Sequence, residues 1–241
     1  MSFNLARIML NHVVVIPDGN RRWAKRKGLF PWQGHLEGAK IIGKILEKAL
    51  ELKTPYFTFW GGSFDNLTKR SKKEIKFLLK LYGEYLKKLL KEKRVHKYKV
   101  RINVLGRWKE IFPEGLKKIV EKSIEETKNY NQYFLTLLLA YNGTDEMIDC
   151  IKKTSAISKK QKIKIDEKLI RENLWTGFLP PVDLVIRTGC EGDPHNSTGF
   201  MMWQTAYSQF YFTKTLFPDF APEEFEKAIN NFLERERRLG K

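Results

Sequence analysis

The chain has 241 residues, of which 42% are hydrophobic and 30% charged, with sixteen Phe and six Trp. This composition can supply a packed core and argues against intrinsic disorder. The formal charge of +17 indicates an anionic partner (nucleic acid, phosphate esters or an acidic membrane surface), although scattered lysines are more often a solvated surface.

The cysteines and the apolar segments indicate the cellular compartment. Cys150 and Cys190 lie far apart without CxxC spacing, which indicates neither a disulfide framework nor a zinc site. The first residues lack the apolar core of a signal peptide, and no apolar run reaches membrane-spanning length. We therefore expect a cytoplasmic protein whose membrane contact, if any, is peripheral. No linker interrupts the sequence, so we expect residues 1–241 to form a single domain.

Short apolar runs alternate with amphipathic segments along the chain. The β-branched run His12–Ile16 predicts a buried parallel strand that ends in a Pro-Asp-Gly loop. Strands alternating with helices predict an α/β fold with a central, mostly parallel sheet flanked by helices. The other predicted strands are 56–60, 100–105, 134–140, 182–186 and a possible sixth at 209–212. The predicted helices are 38–52, 72–93, 113–130, 145–153 and 222–238, and a polar connection is expected at 155–161.

Polar clusters follow four of the predicted strands, at residues 18–20, 63–66, 142–143 and 187–191. Ligands of parallel sheets bind beyond the carboxyl ends of the strands. We therefore expect these four clusters to meet at one edge of the sheet.

The first cluster has the chemistry of a metal and diphosphate site. Asp18 at a strand end is a natural Mg²⁺ ligand, because hard cations prefer oxygen. Gly19 allows the backbone to approach a ligand closely, and the N–H groups that follow can face a phosphate. Arg21 and Arg22 can neutralise a diphosphate. These residues alone are equally compatible with a plain Asp-Gly turn before a solvent-exposed basic helix.

Three longer motifs favour the first interpretation. They are IPDGNRRWAK at 16–25, DLVIRTG at 183–189 with WQTAYSQFYF at 203–212, and FPDF at 217–220 leading to RERRLG at 235–240. In order and spacing they resemble the signatures of the cis-prenyltransferases, the undecaprenyl diphosphate synthase family. The resemblance implies a homodimer with a hydrophobic tunnel for a prenyl chain. It also implies a Mg²⁺-dependent enzyme that condenses an allylic prenyl diphosphate with isopentenyl diphosphate.

The resemblance also implies roles for individual residues. Asp18 would hold Mg²⁺ on the allylic diphosphate and act in catalysis with Ser63 and Asn66. Arg187 would bind the isopentenyl diphosphate, and Arg238 and Gly240 would reach the partner subunit's site. The remaining substrate-binding candidates are Gly19, Asn20, Arg21, Arg22, Trp23, His35, Lys69, Glu191, His195 and Ser197.

The second diphosphate pocket departs from the family pattern. The loop 192–199 is longer than the family's Arg-x-Ser and lacks its basic residue, so that Lys69, His195 and Ser197 are the candidates to replace lost contacts. The other departures are Pro31 in place of Arg, 67–69 in place of Trp-x-Arg, 141–144 in place of Tyr-Gly-Gly-Arg, and Gln209 in place of a Glu that can bind metal.

These departures leave alternatives open. One is an irregular, head-to-middle coupling of two allylic diphosphates that gives lavandulyl-type products, and another is a terpene-cyclising relative without a second substrate. A non-catalytic partner subunit of a heteromeric enzyme is disfavoured because Asp18 is intact. A nucleic-acid-binding protein is disfavoured because no recognised binding module is present.

Overall fold

Six parallel strands form one sheet at the centre of the computed structural model, which describes residues 10–235. Their spatial order is β3-β4-β2-β1-β5-β6, and all five neighbouring pairs are parallel. The predicted α/β class and the possible sixth strand are confirmed. The strands are β1 (His12–Ile16), β2 (Tyr56–Gly62), β3 (Val100–Leu105), β4 (Tyr133–Leu139), β5 (Leu184–Arg187) and β6 (Gln209–Phe212).

Helices cover both faces of this sheet. The central strand β1 shows why, since Val13, Val14 and Val15 are all fully buried. Val13 and Val15 pack into one large apolar cluster, and Val14 packs into a second cluster on the other face. The helices are α1 (Asn20–Arg26), α2 (Pro31–Glu51), α3 (Phe64–Lys69), α4 (Lys72–Lys91), α5 (Lys93–Lys97), α6 (Trp108–Ile111), α7 (Glu114–Thr127), α8 (Gly143–Gln161), α9 (Glu167–Asn173) and α10 (Pro222–Glu234), with a 3₁₀ turn at Phe217–Asp219.

The start of α2 differs from the prediction, because the helix begins at Pro31 and not at residue 38. Pro31 occupies the first helical turn, and the Gln33 side chain accepts a hydrogen bond from the Phe30 N–H at 2.9 Å. Gly34 is a packing contact and not a helix breaker. A Cβ at that position would lie 2.0 Å from the Asn20 carbonyl oxygen, so glycine lets α2 approach α1.

Two further boundaries were predicted wrongly. The segment 155–161, expected to be a polar connection, is the end of α8; most of it is exposed, so it needs few apolar residues to be helical. Strand β5 begins at Leu184 and not at 182, because the Val182 N–H donates to the Gln204 carbonyl. Within residues 10–235, no helix is long and apolar enough to cross a membrane.

His12 is a fully buried titratable residue at the start of β1. Its Nδ1 lies 3.0 Å from the Pro180 carbonyl oxygen, which can only accept, and its Nε2 lies 2.8 Å from the Thr58 hydroxyl. These contacts fit a neutral ring whose Nδ1–H donates to Pro180 and whose Nε2 accepts from Thr58. Burial lowers the pKa of His12 from 6.5 to about 4, against smaller opposing effects of the Pro180 carbonyl and Asp183.

This burial predicts a loss of stability in acid. As the pH falls from 6.5 towards 4, His12 becomes protonated in the unfolded chain but stays neutral in the folded chain. The free energy of unfolding should fall by about 3 kcal/mol from this group. Urea unfolding at pH 7 and pH 4 should show that His12→Gln, although less stable at pH 7, lacks this part of the decrease. An equal decrease in both proteins would contradict the assignment.

Candidate active site

A cavity of about 940 Å³ opens at the carboxyl edge of the sheet and extends between α2, α4 and the strands. Its polar end is formed by the loops that follow β1, β2 and β5, which hold three of the four predicted polar clusters. The fourth cluster, 142–143, does not line the cavity; Asn142 accepts a hydrogen bond from the Phe64 N–H at 3.2 Å. The cavity interior is apolar and corresponds to the predicted tunnel. The interior side chains include Ile42 of α2, Leu78, Leu81 and Leu86 of α4, and Phe59, Leu137 and Leu139 of the sheet.

Two tyrosines of α4 stand along the apolar part of this cavity. The Tyr82 hydroxyl donates to the Gly61 carbonyl at 2.8 Å. Tyr85 lines this cavity and also a second one of about 350 Å³ between α2 and the start of β2 and β4. Burial raises the pKa of both tyrosines, so both hydroxyls are protonated at neutral pH. The Tyr85 side chain is thus shared by the walls of the two cavities.

The turn from β1 into α1 presents Asp18 to the cavity. Gly19 has a φ of 104°, and a Cβ there would lie 2.7 Å from the Leu216 Cδ2, so this turn requires glycine. The Asp18 Oδ1 accepts from the Gly19 N–H at 2.6 Å. With 41% of its side chain exposed, the carboxylate is open to a ligand. The N–H groups of the first turn of α1 have no acceptor within the helix.

Arg187, at the end of β5, lies directly across from this carboxylate. Its side chain is only 8% exposed, and its Nη2 donates to the Asp18 Oδ2 at 3.1 Å. Its Nη1 donates to the His195 carbonyl at 2.7 Å and to the Ser197 hydroxyl at 2.8 Å. The buried Nε has no hydrogen-bond partner among residues 10–235. Arg187 therefore links Asp18 to the loop 192–199 and keeps one donor free.

A second arginine, Arg22, connects Asp18 to the loop after β5. Its guanidinium lies 3.2 Å from the Asp18 Oδ1 and donates to the Gly189 carbonyl and to Glu191. Arg26 binds the other oxygen of Glu191 at 2.5 Å, and this hydrogen bond lowers the pKa of Glu191. Glu191 thus neutralises two arginines beside the cavity and does not line it.

Beside the cavity wall, Glu74 of α4 contacts three basic side chains. Its nearly buried carboxylate lies 3.0 Å from the Arg70 Nη1, 3.0 Å from the His35 Nε2 and 3.9 Å from the Arg21 Nε. The hydrogen bond with His35 lowers the pKa of Glu74. Burial lowers the pKa of His35, so its imidazole is neutral at pH 7. Glu74 therefore holds Arg70 and His35 on the cavity wall.

Sequence reasoning missed Arg70 and Glu74 and selected Lys69 instead. Lys69 is 75% exposed, pairs with Asp65 at 3.1 Å and does not line the cavity. Arg70 lines it one residue later. A local signal was present, because Ser71 accepts from the Glu74 N–H as the N-cap of α4. That cap places Glu74 one turn after Arg70, at the (i, i+4) spacing of a helical ion pair.

The loop after β2 contributes Ser63 and Asn66. The Ser63 hydroxyl accepts from the Asn66 N–H at 3.0 Å and so begins α3. The Asn66 side chain lines the cavity and has no hydrogen-bond partner in the described part of the chain. It is therefore available to a ligand.

The predicted site residues fall into three groups. Four of them lie off the cavity wall: Trp23, Lys69, Glu191 and His195. The Trp23 indole donates to Asp219, and His195 contacts Arg187 only through its backbone carbonyl. Arg238 and Gly240 lie outside the described residues. The cavity wall brings together Asp18, Gly19, Asn20, Arg21, Arg22, His35, Ser63, Asn66, Arg187 and Ser197.

The oxygen donors of this site suit a metal ion that is bound together with substrate phosphates. No group of three or more His, Cys, Asp or Glu side chains within residues 10–235 could hold a metal by itself. Asp18 is a single accessible carboxylate, and Mg²⁺ is commonly held by one or two carboxylates together with water and substrate phosphates. Gln209 does not add a ligand, since its Oε1 accepts from Arg235 at 3.2 Å.

Comparison with known proteins agrees with this geometry. The model of the undecaprenyl diphosphate synthase family matches residues 16–240. A tritrans,polycis-undecaprenyl-diphosphate synthase (geranylgeranyl-diphosphate specific) of Pyrococcus horikoshii is 42% identical over 237 residues, covering 97% of this chain and 88% of the relative. An isoprenyl transferase of Fusobacterium nucleatum is 40% identical over 229 residues, covering 95% of each chain.

Among solved structures, lavandulyl diphosphate synthase from Lavandula x intermedia in complex with dimethylallyl diphosphate is similar with a TM-score of 0.89. It is 28% identical, and the match covers 96% of this chain and 98% of that one. The family predicted from the three sequence motifs is confirmed, and the protein is an enzyme. The chain belongs to the undecaprenyl diphosphate synthase family of prenyltransferases.

Proposed function

We propose that this enzyme uses Mg²⁺ to condense an allylic prenyl diphosphate with isopentenyl diphosphate, giving a cis-type prenyl diphosphate. The observation that carries the proposal is one cavity with an Asp- and Arg-rich polar end and a long apolar interior. The polar end suits a diphosphate, and the interior suits a prenyl chain. The Pyrococcus relative is named for geranylgeranyl diphosphate, which supports an allylic substrate of that length here.

The allylic diphosphate binds at the end of β1. Arg22, His35 and Arg70 line the cavity there, and Asn20 offers a backbone N–H group, whereas the Gly19 N–H already donates to Asp18. When the carbon–oxygen bond breaks, its electron pair leaves with the diphosphate, and the arginines stabilise the charge that develops. Mg²⁺ held by Asp18 would supply further Lewis-acid stabilisation of the leaving group. The apolar interior holds the chain and excludes water from the allylic cation.

The isopentenyl diphosphate binds on the side of Arg187 and Ser197, both of which line the cavity. Its double bond attacks the allylic carbon, a carbon–carbon bond forms, and loss of a proton restores a double bond. Asn66, whose amide has no other partner among the described residues, is placed to orient the reacting groups. The protein's main contribution is positioning.

Assembly and setting form part of the same proposal. Arg238 and Gly240 act in the site of a second copy, and the exposed Ile148 and Ile151 of α8 support a homodimer. Both described cysteines are free, consistent with a reducing cytoplasm. The whole chain acts as one domain, with peripheral contact to the membrane that receives its products.

The first prediction of this proposed function tests the carboxylate proposed to hold Mg²⁺. Asp18→Asn keeps the side chain's size but removes its charge, so kcat should fall by about a hundredfold or more. Asp65→Asn is a matched control, because Asp65 lines the same cavity but pairs with Lys69. Steady-state assays over a Mg²⁺ titration should separate the two variants. Near-normal turnover in a folded Asp18→Asn protein would be inconsistent with metal binding there.

The second prediction distinguishes two adjacent basic residues. Arg70→Gln removes a charge-assisted contact to the allylic diphosphate and should lower kcat/KM by about ten- to a hundredfold. Lys69→Gln should leave kcat/KM close to that of the wild type, because Lys69 points to solvent. If the two variants lost activity equally, Arg70 would have no special role.

A second candidate function is the irregular coupling of two allylic diphosphates. It is favoured by the similarity to lavandulyl diphosphate synthase and by the loop 192–199, which meets Arg187 through the His195 carbonyl and the Ser197 hydroxyl and has no basic side chain. A second diphosphate held by fewer cations would sit differently relative to the allylic carbon.

The products decide between the two functions. With dimethylallyl diphosphate alone, regular condensation predicts no coupled product, whereas irregular coupling predicts a branched one. With geranylgeranyl and isopentenyl diphosphates together, regular condensation predicts linear chains with new cis double bonds. NMR of the purified products identifies the pattern, and a branched product as the main species would overturn the primary proposal.

A further inference from the structure

The turn between α1 and α2 exposes a continuous apolar patch. Phe30 is 62% exposed, Leu36 40% and Leu29 37%. The Phe30 ring stacks on Trp32, with centroids 4.5 Å apart and planes inclined by 9°. Trp32 and Leu36 are separated by one helical turn and so lie on the same face of α2. We call Leu29, Phe30, Trp32 and Leu36 the mouth patch; contiguous exposed apolar surface of this kind marks an interaction site.

The mouth patch adjoins the opening of the substrate cavity. Leu29 belongs to both, and Pro31 and Gly28 of the same turn also line the cavity. A prenyl substrate or product must pass this opening. Whatever covers the mouth patch therefore lies where the lipophilic chain enters and leaves.

Cationic side chains border the patch. Lys25 is exposed and has no ion pair within residues 10–235, and the Lys27 Nζ lies 4.3 Å above the Trp23 ring. Nearby acidic groups are already paired, Glu191 with Arg22 and Arg26, and Glu37 with Lys40. Exposed aromatic and aliphatic side chains beside lysines are the composition of segments that insert into the headgroup region of membranes.

We propose that the mouth patch docks onto an anionic phospholipid surface, with Phe30 and its neighbours inserted among the acyl chains and Lys25 and Lys27 against the headgroups. Charge complementarity selects this occupant. The patch is the tip of a turn, not a groove that would accept a peptide, and its border is cationic. Docking there brings the cavity opening to the lipid from which a long prenyl chain is taken or to which it is released. This purpose rests on the proposed function, but the contact itself does not.

The test is binding of the full chain to vesicles, which needs no substrate. Wild-type protein should co-sediment with vesicles of phosphatidylcholine containing phosphatidylglycerol, and less with phosphatidylcholine alone or at high salt. Phe30→Ser combined with Leu36→Ser should weaken binding by about tenfold or more. Lys27→Glu should weaken it by at least about fivefold. Brominated lipid should quench Trp32 fluorescence, and Trp32→Phe should remove that quenching.

Matched controls come from elsewhere on the surface. Lys97 of α5 also lies over an aromatic ring, that of Tyr98, but α5 precedes β3 and so lies at the opposite edge of the sheet. Lys97→Glu and Leu233→Ser, an exposed leucine of α10, should bind vesicles as the wild type does. Circular dichroism should show that all variants fold.

Three results would overturn the proposal: no binding of wild-type protein to anionic vesicles, equal losses in the patch and control variants, or unchanged binding in the Phe30→Ser/Leu36→Ser protein. A change of oligomeric state in that protein, seen by sedimentation, would also overturn it by assigning the patch to a contact between copies. Inactivity of the wild-type enzyme with unchanged vesicle binding would count against the proposed function alone.

Discussion

Arg187 carries a positive charge at a position that water scarcely reaches, and the fold must compensate that charge. The Asp18 carboxylate does so from the end of β1, because Ile16 and Arg187 are paired in register. The loop 192–199 adds a carbonyl and a hydroxyl oxygen. Because 41% of the Asp18 side chain is exposed, solvent screens this ion pair, and losing it costs less than breaking a fully buried pair. The pairing of β1 with β5, the Asp18 carboxylate and the loop 192–199 are therefore linked through the contacts of one side chain, Arg187.

Helix α4 joins the two halves of the site in one rigid body. Its first turn contributes Glu74, which holds Arg70 and His35 on the cavity wall. Two and three turns later the same helix contributes Tyr82 and Tyr85 to the apolar interior. The distance between the charged end and the hydrocarbon-binding end is thus fixed by a helical rise of about 1.5 Å per residue. In the proposed reaction, the position of the allylic carbon relative to the polar end would depend on this helix.

The sheet was predictable because its strands are short, continuous apolar runs that only a sheet covered on both faces accommodates, as the fully buried Val13 to Val15 illustrate. The edge that gathers Asp18, Ser63 and Arg187 followed from strand direction alone. Contacts that depend on how helices pack could not be predicted in this way. The start of α2 at Pro31 depends on the packing of Gly34 against α1, and the (i, i+4) spacing of Arg70 and Glu74 does not by itself show that Glu74 turns inwards. The residue pattern of the apolar turn at Phe30 does not show whether its side chains are exposed or buried.

Asp18 and Arg187 are 169 residues apart in the chain. Pairing between such distant segments is slow to form, since the intervening chain must be ordered first. During synthesis, β1 and β2 emerge long before β5, so one edge of β1 stays unpaired until the last quarter of the chain is made. Open edges of apolar strands recruit other chains. It follows that fragments ending before residue 184 are aggregation-prone, and that the contact between Asp18 and Arg187 can form only after three quarters of the chain has been made.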